Sequence, residues 1–239
     1  MIGNIIAPEN VKPGTKSIIY FEEYFDPFTH TATETKFLEF LRKEATYTDK
    51  IVGYKVILSN SNAYDGGVWV IADANHDSAN TDQFNCYDLI SLNCINPDCI
   101  FGADSNYRSS NDRAWINDVL YPGFSDNIKA RMMNPRYNLQ GVWYDDDKLV
   151  EPSGTELGGV DANRMQIEGL KYPIFPDGNL SDTSRAKLKF DNTTTEYWWT
   201  RSKYGNSTVS AWCVNTIGGL GYVNCTNGAA WVAPIMRIG

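Results

Sequence analysis

Residues 196–239 read EYWWTRSKYGNSTVSAWCVNTIGGLGYVNCTNGAAWVAPIMRIG, and this closing stretch decides the fold class. It sets Trp198, Trp199, Trp212 and Trp231, together with Asn206, Asn215, Asn224 and Asn227, into runs that read as short antiparallel strands around Gly218-Gly219. Large rings fix a backbone by filling a core, whereas short polar side chains between them are left to meet solvent or ligand. The pattern predicts a rigid β scaffold bearing a polar, aromatic surface rather than a reaction centre. Trp198 and Trp199, at a strand centre, belong in the core, and Arg201 beside them is placed to pair a buried carboxylate or to cap carbonyls.

Upstream, residues 51–60 (IVGYKVILSN) and 68–77 (VWVIADANHD) flank a turn-like SNAYDGG and predict a hairpin. Phe37, Leu38, Phe40 and Leu41 fall at helical spacing within residues 33–45, with Thr33 as N-cap. Residues 17–25 read as an apolar strand-like run ended by Asp26-Pro27. A short helix is expected from Asn111-Asp112 to the residue before Pro122, with Ala114, Trp115, Val119 and Leu120 on its apolar side. A second helical turn over 125–133 carries a Ser125 cap. Residues 142–144 and 148–150 read as strands, 161–169 as a helical turn, and 78–106 as a long polar surface excursion.

The chain has 239 residues, 42% hydrophobic and 13% aromatic, enough for one substantial core. Its abundance of Gly, Pro, Asn, Ser, Thr and Tyr favours turns and short strands, so the class is a β-rich α+β fold. We expect a domain over residues 51–239 and an N-terminal attachment or oligomerisation segment over 1–50. A formal net charge of -8 with no basic run sets nucleic acid aside as a partner. No stretch approaches the roughly 20 apolar residues of a membrane span, and the N-terminus lacks a signal-peptide pattern, so no membrane insertion and a cytoplasmic start are expected.

Cys86, Cys94, Cys99, Cys213 and Cys225 are odd in number and contain no CxxC, and His30 and His76 stand apart from them, so the thiols read as mainly reduced and no zinc site is expected. A hairpin symmetric about Gly219 would set Cys213 opposite Cys225; both read as small half-buried apolar side chains rather than a disulfide. Asp145-Asp146-Asp147 and the Asp73, Asp77, Asp82 series invite a calcium reading, but neither fits an EF-hand loop, and the triple aspartate reads as a solvated turn. No Ser-His-Asp set, phosphate loop or dinucleotide fingerprint occurs, and His30 and His76 read as surface or turn residues. No cofactor, no metal and no catalytic residue is expected.

Three motifs in order carry a resemblance. Arg113, Trp115, Ile116, Asn117 and Phe124 stand at an R-x-W-L-N…F helix, Tyr197 to Ser202 at a YWLRS strand, and Val232, Pro234, Ile235 and Ile238 at a terminal GVRPAL-I strand. Thr200 replaces the usual Leu and Ala233 the usual Arg. Over residues 51–239 the chain resembles a bacterial and phage domain family of unknown function. That family is similar to the C-type-lectin-like fold of formylglycine-generating enzymes and of retroelement-diversified variable proteins, including phage tropism determinants. The cysteine pair of the enzymes has no counterpart around Cys213 and Cys225, so enzymatic activity is not expected.

The resemblance implies a ligand-facing surface within residues 203–231, on Tyr204, Asn206, Ser207, Trp212, Asn215, Tyr222, Asn224, Asn227 and Trp231, where rings and short hydrogen-bonding groups suit binding loops. It further implies a virion protein, assembled in the host cytoplasm, that recognises a bacterial surface glycan or protein, contacts other virion proteins, and forms a homo-oligomer, with a trimer as the expected state. The other reading is a structural head or tail decoration whose aromatic face meets neighbouring subunits.

Overall fold

The structure, a computed structural model, describes residues 21–43, 48–61, 67–161, 163–175, 183–189, 193–226 and 230–239. In chain order its first half comprises β1 (Thr31–Thr33), α1 (Glu34–Lys43), β2 (Lys55–Ile57), β3 (Val68–Ala74), α2 (Ser78–Thr81), β4 (Tyr87–Ser91), β5 (Ile95–Cys99), α3 (Asn111–Trp115) and α4 (Asp126–Lys129). There follow β6 (Met132–Met133), β7 (Tyr137–Leu139), β8 (Val142–Tyr144), β9 (Leu149–Val150), β10 (Lys187–Leu188) and β11 (Thr195–Glu196). The closing segment forms β12 (Trp198–Lys203), β13 (Ser210–Val214), β14 (Leu220–Asn224), β15 (Ala230–Val232) and β16 (Ile235–Ile238). Short strands and few, short helices make this an α+β protein, as the composition predicts.

Two sheets organise the chain. The first runs β1-β2-β3-β4-β16-β6, with β9 also on β16; the second runs β14-β13-β12-β15-β5. The expected hairpin is β2–β3, antiparallel with Val56 opposite Trp69; its turn residues 62–66 lie outside the described residues. The first sheet is covered on both faces. Trp69, Ile71, Leu89 and Met236 point into a core shared with Phe37 and Phe40 of α1, while Ile90 and Ile235 point into a second core with Trp198, Trp199 and Trp212.

Double coverage explains the largest difference from the sequence reading. Residues 78–106, expected as a surface excursion, supply β4 at the centre of the first sheet, every residue of which is buried. A strand covered on both faces loses the alternation that marks a half-exposed one. Its neighbour is the C-terminal strand β16, in register Ile235 to Ile90 and Arg237 to Asp88. Arg237 meets Asp88 with a fork of 2.6 and 2.7 Å bonds, and Tyr172 donates to the same carboxylate at 2.9 Å. Burial raises the Asp88 pKa, but the Arg237 charge and hydrogen bonds outweigh it and hold the carboxyl below its ordinary range.

α1 forms where expected: Thr33 Oγ1 accepts from the Lys36 N–H, Glu34 opens the helix, Arg42 and Lys43 close it, and the four predicted apolar residues are buried. The segment expected as an attachment element thus contributes β1 and α1 to the same sheet and core; residues 1–20 lie outside the described residues. Of the strand expected over 17–25, Phe21–Glu23 is instead a 3-10 turn, closed by Phe21 O accepting from Tyr24 and Phe25. α3 starts one residue early, on Ser110, whose Oγ accepts from Arg113 N–H. Its buried side holds Asp112, then Ile116 and Leu120 in a following π turn, while Val119 is exposed, because the wider turn rotates the face away from the 3.6 spacing. Ser125 caps α4 as predicted, but the helix ends at Lys129 and Met132–Met133 pairs with β16.

The β13–β14 register sets Ser210 opposite Asn224 and Cys213 opposite Gly221, so Cys213 and Cys225 are not cross-strand neighbours; the strands fold about residue 217 instead of Gly219. Both cysteines are free and buried, and burial pushes the Cys213 thiol up to about 12.

Removing one member of a buried ion pair leaves the other uncompensated. Arg237→Met is expected to cost about 3–5 kcal/mol in urea unfolding, and an unchanged unfolding midpoint would contradict the role given to this pair.

Candidate functional site

Behind the β12 surface lies a frame of buried charge. The Arg201 guanidinium forks onto Glu156 at 2.6 and 2.7 Å and also donates to the carbonyls of Glu151 (2.7 Å), Glu168 (2.8 Å) and Asn138 (3.3 Å). The sequence expectation of a buried carboxylate partner holds. Ser202 donates to Glu168 and accepts from Gly154 N–H. Trp198 and Trp199 are fully buried beside them, as expected. Asn117 accepts from Lys148 and Leu149 N–H and donates to the Leu149 carbonyl, tying the helical motif to β9.

Two polar readings change. Of the triple aspartate, Asp145 and Asp146 are exposed as expected, but Asp147 is buried, ion-paired to Arg113 and Arg108 and accepting from Tyr137 Oη at 2.6 Å, while Asp146 takes Arg108. No metal-holding cluster of His, Cys, Asp and Glu occurs among the described residues. His76 is buried, its Nδ1 2.7 Å from Asp73 and its ring stacked 3.8 Å from Tyr172, whereas His30 is the exposed turn residue predicted. Burial lowers the His76 pKa, yet Asp73, Asp88 and Glu156 outweigh it and the net shift is upward. Burial pushes Glu168 up to about 7, against the opposing pull of Arg201.

His76, Glu168, Tyr172, Arg201 and Arg237 line one cleft whose free volume, about 10 Å³, is that of a single water. That space admits no substrate, and these groups act as frame. The surface in front of them is different. Tyr204 stacks on Tyr222 with ring centroids 3.8 Å apart, meets Trp212 edge-on at 5.1 Å, and lies under the Arg164 guanidinium at 5.7 Å. Tyr222 is 56% exposed, so the pair presents an aromatic platform to solvent on the β13–β14 hairpin.

The other expected ligand residues divide. Asn206 is exposed and Ser207 half-buried on the turn after Tyr204. Trp212 and Trp231 are buried at 3% and 5% exposure: Trp212 donates to the Arg164 carbonyl and Trp231 lies under Lys189, so both rings are scaffold instead of surface. Asn215 Oδ1 accepts from Ile217 and Gly219 N–H, and Asn224 Oδ1 from Thr226, which commits both acceptors to turn geometry. Asn227 lies outside the described residues.

Beside Lys203 a groove of about 370 Å³ opens, walled by the β7–β8 hairpin and by the loop 104–106. Sequence reasoning missed it because its residues come from three separated segments, joined when Ser105 bonds to the Ser207 and Thr208 carbonyls.

The sequence model of the family described as Domain of unknown function (DUF6273) matches residues 100–239, more than half of the chain. The chain belongs to the DUF6273 family. The DUF6273 region contains β12 to β16, the Arg201 frame, the Tyr204–Tyr222 platform and the groove. No curated protein and no solved structure matches the chain. No helix among the described residues of this DUF6273 protein is long and apolar enough to cross a membrane.

An acid whose pKa rises from 4.5 to about 7 on folding holds its proton more tightly in the folded state. Its burial therefore costs nothing below about pH 4, costs stability increasingly as pH climbs from 4.5 to about 7, and adds no further loss above that. Glu168→Gln is expected to remove that fall, so that its stability relative to wild type improves by roughly 3 kcal/mol between about pH 4 and pH 8, read by urea unfolding at each pH; a constant difference would refute the assignment.

Proposed function

We propose that this protein is a non-enzymatic binding protein of a phage particle that recognises a bacterial surface glycan or protein through the platform built on β12 to β14. In this reading the domain is C-type-lectin-like, contacts other virion proteins, and forms a homotrimer that multiplies weak single-site contacts. The observation that carries the proposal is the Tyr204–Tyr222 stack, half of whose outer ring faces solvent while Trp212 and Arg164 fix its base. Rigid rings of this kind give contact area at low entropic cost. The non-enzymatic reading is supported by the water-sized cleft that encloses His76 and Glu168, which leaves these two titratable groups no room to meet a substrate.

Exposed Val209 and Ile217, at 47% and 68%, favour a second reading in which the same hairpins contact neighbouring subunits of the particle. The two separate by experiment. Labelled wild-type protein is expected to adsorb to host cells, with Tyr222→Ala and Tyr204→Ala weakening adsorption at least about tenfold while Tyr222→Ala keeps the melting temperature. Trp212→Ala, by contrast, is expected to destabilise the fold by about 3–5 kcal/mol. Normal adsorption by both tyrosine variants, with failed particle assembly, would favour the decoration reading.

A further inference from the structure

The groove beside Lys203 has the makings of a second site. Its floor and one wall are apolar: Leu139, Val142 and Tyr144. Val142 and Tyr144 are alternate residues of β8 and so share a face, and the Tyr144 ring packs on Tyr137, with centroids 5.8 Å apart, and on the Arg108 guanidinium at 4.5 Å. The rim is polar: Asp104, Asn106, Gln140, Lys203 and Thr208. Among the described residues the fold engages little of this rim. Asp104 Oδ1 accepts from Asn106 N–H and Asn106 Oδ1 from Arg108 N–H, while the side-chain amide nitrogen of Asn106, the side-chain amide of Gln140, the Thr208 hydroxyl and the Lys203 ammonium have no described hydrogen-bond partner.

Both edges are rigid. Gln140 and Gly141, at φ 53° and 87°, form the left-handed two-residue turn that a tight hairpin requires. The opposite loop is fixed by Ser105, which donates its hydroxyl to the Ser207 carbonyl at 2.7 Å and its N–H to the Thr208 carbonyl at 3.0 Å. One carboxylate and one ammonium on the rim cancel, so the groove selects for no net ligand charge. Donors and acceptors on both edges, around an apolar wall with an aromatic ring, match a molecule with hydroxyls around its rim and C–H groups on its face. The volume of about 370 Å³ falls within the roughly 300–1,000 Å³ of small-ligand sites.

We propose that the groove between the β7–β8 hairpin and the loop 104–106 binds one uncharged pyranose unit of a glycan, with the ring face against Val142 and Tyr144 and the hydroxyls on Asn106, Gln140, Lys203 and Thr208. The proposal rests on the binding-module reading and adds to it a ligand class and a site separate from the Tyr204–Tyr222 platform.

The test is saturation-transfer NMR on the full chain with lactose, maltose, cellobiose and N,N′-diacetylchitobiose, and with sialyllactose as an anionic comparison. At least one neutral disaccharide is expected to bind with a dissociation constant of about 1 mM, and more tightly than sialyllactose. Lys203→Met and Asn106→Ser, the latter keeping a capping hydroxyl for Arg108 N–H, should each weaken binding about tenfold, whereas Tyr222→Ala should leave it unchanged. No transfer from any neutral disaccharide, tighter binding of sialyllactose, or full affinity in both groove variants would overturn the proposal. Cell adsorption lost in Tyr222→Ala but retained in both groove variants, with no disaccharide bound, would retire the groove alone. Disaccharide binding without cell adsorption would instead retire the host-recognition reading and leave the groove standing.

Discussion

The loop-rich half of this domain depends on one buried cation. Residues 138–169 contain little regular structure, so their backbone polar groups need partners other than a ladder. Arg201 supplies them from the middle of β12, reaching the carbonyls of Asn138, Glu151 and Glu168 while its charge is met by Glu156. A guanidinium suits this task because five fixed donors can serve a carboxylate and several carbonyls at once. The same guanidinium also lies beside a second acid, Glu168, which burial pushes up to about 7 against the pull of Arg201. A lysine, with three donors on a point charge, could not hold the same set of loops.

A second buried pair locks the other side of the same structure. Arg237 and Asp88 join the last strand to β4 on the face that looks toward the second sheet, and Tyr172 reaches Asp88 from the loop region. The two ion pairs thus close the domain from β12 and from β16, with the stacked His76 and Tyr172 between them. Buried pairs of this kind contribute less to net stability than to fixing one arrangement, because desolvation offsets most of their attraction. Fixing one arrangement is what the surface in front requires, since the Tyr204–Tyr222 platform and the groove are both made of side chains whose backbones start in the frame.

Much of the frame was legible in the sequence. The α1 face followed from apolar spacing, the β2–β3 hairpin from alternation, and the burial of Trp198, Trp199 and the carboxylate-paired Arg201 from ring size and charge at a strand centre. The site was less legible. Tyr204, Asn206, Ser207 and Tyr222 reach the surface, but Trp212 and Trp231 turn inward, and Asn215 and Asn224 serve their own turns. An aromatic or an asparagine in a strand-and-turn segment carries no mark of which side it faces until the register is set, and the register here is two residues from symmetry about Gly219.

Sequence by itself determined the class of the fold, the apolar stripe of α1 and the need of Arg201 for a partner, because periodicity, volume and charge act locally and survive in a one-dimensional reading. Only the tertiary structure decided that residues 87–91 form a doubly covered central strand, that Asp147 and His76 are buried, and that loops around positions 105, 140 and 208 meet to form a groove. These are properties of segments far apart in the chain. Burial on two faces removes the alternation that would announce a strand, and a cavity between loops has no signature in any one of them.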